Sequence, residues 1–547
     1  MTAKSWFPTC INTYSKLALG AWLASTLLGC DGEAQPPGNT SSVPSILALA
    51  SECGANSEYL STIDLYPTQV LNTLELAFNL GTSQSGEALG MASPAFNHDQ
   101  ILAASPISGL KSLGGLIGVA EAFLTFRQSQ AQLCDLADAA CSQALLTHFY
   151  TVVHFSEPSA DELEDLMMKF AQYPARTIAD IGRPLIYGID LELLDADLIS
   201  AIRLSLLFDN SLPTSALRER AHNGEFRDAE SRIRYAEQRL AGDHQFSASL
   251  TQWMSRFKSG QKVAEMPLPH ELLTTLMQQT TGQAESVFKG TYADLFTSAY
   301  TLVSQGNIAA YLAEGAADYG AFSAQSAYNS GNLQLMVSDD RPGILTKREF
   351  LVEQPLRGYH LKNIFACGDV KMLDHVSLYG DEYEKVFQQV DAEQAQAGYE
   401  FPHVVWLGRA FEIGDQLGEP ACTWCHTPTH SLDKALTMFD SNGDIRSHFT
   451  LSDGSVLPIE TQGQFYRIAD DSEIFSFDSI SDFLNKVTQT SFAKQCFVDS
   501  WLGHGLQAKS EFSCQAESLY RKFDANGGDI YGLLMDVIAS DLFTSNG

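Results

Sequence analysis

Apolar residues at helical spacing dominate the body of the chain, and they restrict its fold more than any other feature. In the stretch 190–208, the apolar residues that recur every three or four positions are Leu191, Leu194, Leu198, Ile202 and Leu206. This spacing places them along one face of a helix. Comparable patterns cover 161–170, 228–242, 479–487 and 515–523. The sequence therefore predicts a mainly α-helical protein with several helical domains.

Signals for β-strands are few. Pro, Gly and Asp residues cluster in 337–343 and 451–458, where they predict connections between helical blocks. The aspartate-rich stretches 440–444 and 524–529 resemble calcium-binding loops in their spacing. Neither has the glutamate at the twelfth position that completes an EF-hand loop, and we therefore interpret both as turns.

The N-terminus has the layout of an export signal. Lys4 and Lys16 are followed by an apolar run at 17–28, which is too short for a comfortable membrane span. The sequence LLGC at 27–30 resembles the lipobox of bacterial lipoproteins, in which cleavage leaves the cysteine as a lipidated N-terminus. We therefore predict lipidation of Cys30 and anchoring in the cell envelope, at the inner or outer membrane, facing the periplasm or the exterior. Ordinary secretion with a chance cysteine is the alternative.

One short motif carries chemistry. The sequence ACTWCH at 421–426 contains C-x-x-C-H, the signature of c-type haem attachment. Two thiols three positions apart on a helical turn reach the two vinyl groups of one porphyrin edge, and the adjacent imidazole then faces the iron. We predict that Cys422 and Cys425 hold one haem c and that His426 is the proximal iron ligand. Export agrees with this, because c-type haem is attached outside the cytoplasm.

Two other uses of the motif remain open. Cys422 and Cys425 can form a redox-active disulfide of the thioredoxin type. They can also coordinate zinc together with His426 and His430. The disulfide leaves the histidine unused and lacks a βαβ context, and the zinc site lacks a second cysteine pair.

The second axial ligand of the iron is not determined by the motif. His430 lies four residues after His426 and is expected on the same side of the iron. A Met ligand would raise the reduction potential relative to a pair of histidines, and an absent ligand would leave the iron open to water. The candidates for the distal position are Met438, His448, His504 and Met535.

The chain has ten cysteines, of which Cys10 lies in the signal peptide, Cys30 is the predicted lipidation site and two belong to the haem motif. The six others are Cys53, Cys134, Cys141, Cys367, Cys496 and Cys514. An even number in an oxidising compartment predicts disulfide bonds. We expect Cys134 to pair with Cys141 and Cys496 with Cys514, because both loops are short enough to close.

The formal net charge of −32 restricts the partners. Such a surface repels the phosphates of nucleic acids, so we expect no nucleic-acid partner. It can steer a basic redox partner protein, although a merely solvated acidic surface is the alternative. The membrane is the other expected partner, through the lipid anchor. The sequence contains no Gly-rich phosphate loop, no G-x-S-x-G elbow and no H-E-x-x-H motif, which excludes the hydrolases that use them.

Several longer stretches occur in a characteristic order. They are CSQALLTHFY with its continuation at 141–170, LDADLISAIRLSLLFDNSLP at 194–213, YADLFTSAYTLV at 292–303, CTWCHTPTHSLDKALTMFDSNGDIR at 422–446 and FAKQCFVDSWLGHGL at 492–506. In this order they resemble the planctomycete-type cytochrome-linked proteins, large exported bacterial proteins built from successive domains around a C-x-x-C-H module. The family commonly has Asp-Pro-Leu-Gly-Phe after the motif, where this chain has HSLDK at 430–434.

The resemblance implies electron transfer outside the cytoplasm, connected in some members with oxidative breakdown of polysaccharides. A haem enzyme of the peroxidase or oxidase type, with His448 or His504 as acid–base group, and a surface-anchored binding protein with a structural haem are the alternatives. The second C-x-x-C-H of many relatives is absent, which excludes a multi-haem wire within the chain. The predicted order is a lipoprotein signal peptide (1–29), a flexible tether (30–48), an N-terminal helical region (49–187), a large helical domain (188–370), a cytochrome c-like haem module (371–465) and a C-terminal helical domain (466–547).

Overall fold

A computed structural model describes most of the chain from Thr62 to Ser545. The longer described ranges are 62–78, 96–129, 136–240, 290–304, 306–322, 333–351, 380–397, 432–440, 442–450, 454–467, 472–506 and 514–545. Single described positions between them are 249–250, 253, 361, 364–365 and 409. All of them belong to one unit, Cys53–Gly547.

The described residues within 62–240, which we call the helical region, contain ten α-helices and one very short ladder. The helices are α1 (Pro67–Phe78), α2 (His98–Ala104), α3 (Leu113–Ser129), α4 (Ala139–His154), α5 (Ala160–Gln172), α6 (Pro174–Ile181), α7 (Pro184–Tyr187), α8 (Ala196–Phe208), α9 (Ser215–His222) and α10 (Ala229–Leu240). Strand β1 (Thr62–Ile63) pairs antiparallel with β2 (Ile189–Asp190). The mainly helical fold predicted from the sequence is confirmed.

Local caps decide where these helices begin. The carboxylate of Asp195 accepts a hydrogen bond from the backbone N–H of Leu198 and starts α8. The predicted helix from Asp190 was therefore too long at its start, because Ile189–Asp190 forms β2 instead. Asp228 Oδ1 accepts from the backbone N–H of Ser231 at 2.8 Å, directly before α10. A side-chain oxygen at this position satisfies an N–H group that has no partner within the helix.

The described residues within 290–467, which we call the sheet region, contain most of the strands. Strands β3 (Tyr300–Ser304), β4 (Ala317–Phe322) and β5 (Leu333–Val337) form an antiparallel sheet in the order β3-β5-β4. The helices here are α11 (Tyr292–Thr297), α12 (Ile308–Ala313), α13 (Arg348–Leu351) and α14 (Gly380–Ala397). Two hairpins follow: β6 (His448–Thr450) with β7 (Val456–Pro458), and β8 (Gly463–Arg467) with β9 (Ser472–Phe477), whose second strand lies beyond this range.

The predicted connections at 337–343 and 451–458 were partly wrong. Val337 is the last residue of β5, and Val456–Pro458 is strand β7. Strands of three to six residues are too short to show a clear alternation of apolar and polar residues. In the described part of the chain, β7 belongs to a two-stranded sheet with β6 and is therefore an edge strand. A proline without an N–H group, such as Pro458, is tolerated in an edge strand.

The C-terminal helices α15 (Ile480–Val487), α16 (Ser491–Leu506), α17 (Cys514–Ala525) and α18 (Ile530–Ala539) complete the described structure. Helix α16 is buried on most of its surface and contacts α8, α17 and α18. One hydrophobic core joins residues from Ile63 to Phe543. Among the described residues, no helix is both long and apolar enough to cross a membrane.

Two buried arginines bind the ends of the C-terminal helices. Arg203 on α8 donates to the carbonyl oxygen of Leu506, the last residue of α16, at 3.2 Å, and to those of Leu542 and Ser545, which follow α18, at 2.6 and 3.0 Å. Arg232 on α10 donates to those of Ile538 and Ala539 at 2.8 and 2.9 Å. Carbonyl groups at a helix end lack partners in their own helix, and a cation there also suits the helix dipole. Helices assigned to different predicted domains thus share one core, while the predicted boundaries themselves stay a prediction.

Candidate haem site and the segment that follows it

The predicted attachment residues Cys422, Cys425 and His426 lie outside the described residues, and so do His430 and Cys30. Their roles stay predictions. Structural description resumes at Leu432, the sixth residue after His426. The structure therefore shows how the chain is held immediately after the motif.

Residues 432–436 are helical and pack against the main core. Leu432, Ala435 and Leu436 are buried, at the i, i+3 and i+4 spacing of one helix face, and Phe439 beyond the helix end is buried as well. The helix stops before the aspartate-rich turn at 440–444. The apolar face thus fixes the helix against the body of the protein.

The turn at 440–444 is organised by one carboxylate. Asp440 Oδ1 accepts from the backbone N–H groups of Asn442 and Asp444, both at 2.8 Å. Gly443 has φ of +73°, a conformation that glycine adopts without steric cost. The flanking residues Phe439 and Ile445 form an antiparallel bridge. These bonds are those of a turn, and within the described ranges no group of three or more His, Cys, Asp or Glu side chains is arranged to hold a metal ion.

A buried arginine holds this turn from the other side. Arg341 is fully buried and binds Glu314 through two hydrogen bonds of 2.7 and 2.6 Å. Its guanidinium also donates to the carbonyl oxygens of Thr346, at 2.7 Å, and of Gly443. A planar guanidinium suits such a bidentate carboxylate together with further acceptors.

Two aromatic rings lie close to the Arg341 guanidinium. Its central carbon lies 5.2 Å from the ring centroid of Tyr311 and 5.3 Å from that of Phe439. These distances are within the range of cation–π attraction. The side chain of Arg341 is fully buried and that of Glu314 is 12% exposed, so the loss of either partner would leave a largely buried charge uncompensated.

Further contacts hold the turn in register. The backbone N–H of Ile445 donates to Glu314 Oε1 at 3.1 Å, and Asp444 forms an ion pair with Arg348. We call Glu314, Arg341, Arg348, Gly443 and Asp444 the Arg341 cluster. It joins the end of α12, the segment after β5 and the first residue of α13 to the segment after the haem motif.

Two candidate distal ligands lie in this segment. Met438 is half-buried against the main core. His448 is exposed on β6, with its Nδ1 3.0 Å from Ser447 Oγ. The hairpin that carries His448 contacts the end of the preceding helix, because Thr437 O accepts from Arg446 Nε at 2.9 Å. Burial lowers the pKa of Arg446, and the nearby Asp440 raises it.

The other two candidates are core residues of the C-terminal helices. His504 on α16 is buried, with ring centroids 6.4 Å from Trp253 and 6.0 Å from Trp501, and its Nε2 lies 3.2 Å from Ser249 Oγ. Met535 is buried on α18. His504 and Met535 are thus buried in the core, whereas Met438 is half-buried and His448 is exposed, and the distal ligand stays a prediction among the four.

Two of the cysteines predicted to form disulfides do so. Cys141 on α4 and Cys496 on α16 are each disulfide-bonded. The side chains of their partners lie outside the described residues. Helix α17, which begins at Cys514, packs against α16. The specific pairs Cys134–Cys141 and Cys496–Cys514 stay predictions.

The sequence did not reveal Arg341, Glu314 or Arg348 as part of this site. Arg341 and Gly443 are separated by 102 positions, and Glu314 and Ile445 by 131. No local pattern links residues so far apart. The one available signal was the Asp-x-Asn-Gly-Asp turn, which indicated a fixed backbone without indicating what holds it.

Comparisons with known proteins identify no relative of this chain. No family model matches the chain, and neither a curated protein nor a solved structure matches it. The resemblance to the planctomycete-type cytochrome-linked proteins therefore stays an interpretation of motifs.

Proposed function

We propose that this chain is an exported, lipid-anchored, c-type cytochrome-like protein that transfers electrons through one covalently bound haem c. The observation that carries the proposal is the C-x-x-C-H sequence at 422–426 behind an export signal that ends in a lipobox. The donor set suits haem c, because two thiols at this spacing match two vinyl groups and an imidazole follows directly. The order of the longer stretches, which resembles the planctomycete-type cytochrome-linked proteins, supports it.

The haem would supply a one-electron couple, and the chain's residues would hold and orient it. Cys422 and Cys425 would bind the porphyrin edge, and His426 would donate a ring nitrogen to the iron. The apolar face of 432–439 would hold the following helix on the core, so that the motif is tied to a rigid body. A rigid surrounding reduces the reorganisation that accompanies a change of charge.

The partners in this proposal follow from charge and anchoring. A net charge of −32 attracts basic proteins over distances of about a Debye length, roughly 8 Å at physiological salt. A redox partner with a basic docking surface therefore fits best. The lipid on Cys30 would hold the protein at a membrane. A link with polysaccharide oxidation is proposed on the family resemblance alone.

One structural observation favours a second candidate function, a haem peroxidase or oxidase. His448 is exposed on β6, in the segment that follows the motif, and its Nδ1 lies 3.0 Å from Ser447 Oγ. An exposed imidazole close to an open iron can act as general acid or base. A surface-anchored binding protein with a structural haem is the remaining candidate.

Spectroscopy of the full chain, matured with a cytochrome c assembly system, tests the proposal. A pyridine haemochrome spectrum is expected to show one haem c per chain. For electron transfer, carbon monoxide and peroxide should leave the reduced and oxidised spectra unchanged, whereas a change with either ligand would favour the enzyme. Membrane fractionation of Cys30→Ser beside the wild type tests the anchor. A chain without haem c would contradict the proposal.

A further inference from the structure

We propose that the Arg341 cluster is a positioning device for the haem-bearing segment, and that it fixes the turn at 440–444 and thereby the orientation of the C-x-x-C-H motif. The proposal rests on the proposed function, because it assigns the cluster a role towards the haem. Arg341 acts through the backbone of the turn and is a positioning residue.

The first argument is that the cluster binds both a carbonyl oxygen and an N–H group of the turn. Its carbonyl oxygen at Gly443 accepts from Arg341, and the backbone N–H of Ile445 donates to Glu314. The two side chains also bind each other through two hydrogen bonds. The donor and the acceptor are locked together, so they hold the carbonyl group of Gly443 and the N–H group of Ile445 in a fixed orientation relative to each other.

The second argument is the cost of releasing the turn. Arg341 has no exposed surface and Glu314 is almost buried, with 12% of its side chain exposed. Withdrawing the turn would remove the Phe439 ring from one face of the guanidinium. It would also leave Arg341 with one acceptor fewer. Buried polar groups without partners are strongly disfavoured, so the bound arrangement dominates.

The third argument is the close fit of the turn against α13. A Cβ atom at Gly443 would lie 2.9 Å from the carbonyl oxygen of Arg348 and 3.2 Å from the Cβ of Leu351. The backbone of the turn therefore lies directly against α13. The ion pair between Asp444 and Arg348 adds a charged contact to the same helix.

The fourth argument is the short connection to the motif. The helix 432–436 separates His426 from the turn, and its apolar face is packed on the core. Its last turn is bound from behind, because Arg446 Nε donates to Thr437 O. The helix is thus fixed along one face and at its C-terminal end. Only the residues 427–431 connect this fixed helix with His426.

Gly443→Ala tests the proposal, with Gly454→Ala as the matched control. Both glycines have positive φ, +73° and +83°, so alanine strains the backbone equally at the two positions. Only position 443 has atoms within 4 Å of the added Cβ. Hydrogen exchange of the peptide 432–450 should become faster by on the order of tenfold in Gly443→Ala, as expected when a turn is pushed off its contact. In Gly454→Ala it should stay at the wild-type rate.

Two properties of the haem distinguish a positioning role from a merely structural one, because a merely structural role would leave both unchanged. In Gly443→Ala the midpoint potential and the circular dichroism of the Soret band should shift, whereas both should equal the wild type in Gly454→Ala. If Gly443→Ala fails to fold, Asp444→Asn replaces it, because 42% of that side chain is exposed and the substitution is milder. In Asp444→Asn, the potential and the dichroism should each change in the same direction as in Gly443→Ala.

The outcomes separate the two proposals. Faster exchange together with a shifted potential supports the positioning role. Faster exchange with unchanged potential and dichroism overturns it and leaves the proposed function standing. Unchanged exchange in Gly443→Ala and Asp444→Asn also overturns it. A wild type without covalent haem overturns both proposals, whatever the exchange rates are.

Discussion

The helical region and the sheet region are held together by different physical means. In the helical region, apolar side chains pack at helical spacing, and ion pairs such as Arg176 with Asp180 are half-exposed, at 48% and 40% of their side chains. The buried Arg203 and Arg232 of this region donate to backbone carbonyl oxygens of the C-terminal segment. In the sheet region, a fully buried arginine joins segments from distant parts of the chain. The comparison teaches that buried arginines connect distant segments in both regions, and that in the sheet region the arginine also pairs with a nearly buried carboxylate, that of Glu314.

Arg341→Met should have the largest effect, because it removes the central cation of the sheet region. Glu314 and the carbonyl of Gly443 would lose their partner in a buried site. Breaking a buried ion pair in this way costs about 3 to 5 kcal/mol. The matched control Arg176→Met breaks an exposed pair and should cost about 0 to 1 kcal/mol. Chemical denaturation of both variants measures the difference, and equal losses would contradict the contrast between the regions.

Leu146→Ala should destabilise the helical region by about 3 kcal/mol, since it opens a cavity at a fully buried position on α4. Leu193→Ala removes the same atoms from a residue that is 91% exposed and should change the free energy of unfolding by less than about 0.5 kcal/mol. Thermal unfolding followed by circular dichroism compares the two. A small effect of Leu146→Ala would show that apolar packing does not hold this region.

Asp195→Ala should destabilise α8 by about 1 kcal/mol, because the backbone N–H of Leu198 loses the acceptor that begins the helix. Asp195→Ser keeps an acceptor at the same place and should retain most of the stability. Urea denaturation at one pH measures both variants. If serine and alanine are equally destabilising, the cap does not determine where this helix begins.

The smallest expected effect is a loss of stability of the helical region in mild acid. Burial lowers the pKa of His148 and of His154, while hydrogen bonds to the carbonyl oxygens of Leu76 and Ile181 oppose the shift. Arg218 lowers the pKa of His148 further, and Glu162 raises that of His154.

The sign follows from proton linkage. A histidine with a lowered pKa binds more protons when unfolded, so its contribution is present above the unfolded pKa of about 6.5 and is lost as pH falls through the folded value. Unfolding measured between pH 7.5 and 5 should therefore show a smaller loss in His148→Gln with His154→Gln than in the wild type. An identical loss in both proteins would exclude these histidines as the cause.

Sequence reasoning predicted the helices well because their information is local. The cap at Asp228 and the apolar stripe of α8 are each contained in a few consecutive residues, whereas the start of α8 at its Asp195 cap was missed. The strands were largely missed, since β6 and β7 have three residues each and pair only with one another. Arg341 could not be predicted, because its partners Glu314 and Gly443 are brought to it by tertiary structure alone.

The candidate site divides in the same way. The motif at 422–426 and the turn at 440–444 were visible as short patterns, and hydrogen bonds from Asn442 and Asp444 to Asp440 account for the turn. The distal ligand could not be predicted from a short pattern, because four residues of suitable type are spread over a long stretch of sequence. The structure places His504 and Met535 in the core and Met438 and His448 in the segment after the motif, and all four stay candidates.

Covalent haem on the denatured chain is the most direct test of the central claim. Wild-type protein matured with a cytochrome c assembly system should stain for haem peroxidase activity on a denaturing gel, because thioether bonds do not depend on the fold. Its mass should exceed the lipidated chain by one haem. The double variant Cys422→Ala with Cys425→Ala should lose both signals, while Cys367→Ala should retain them. A wild type without stain, with the mass of the bare chain plus lipid, would contradict the account.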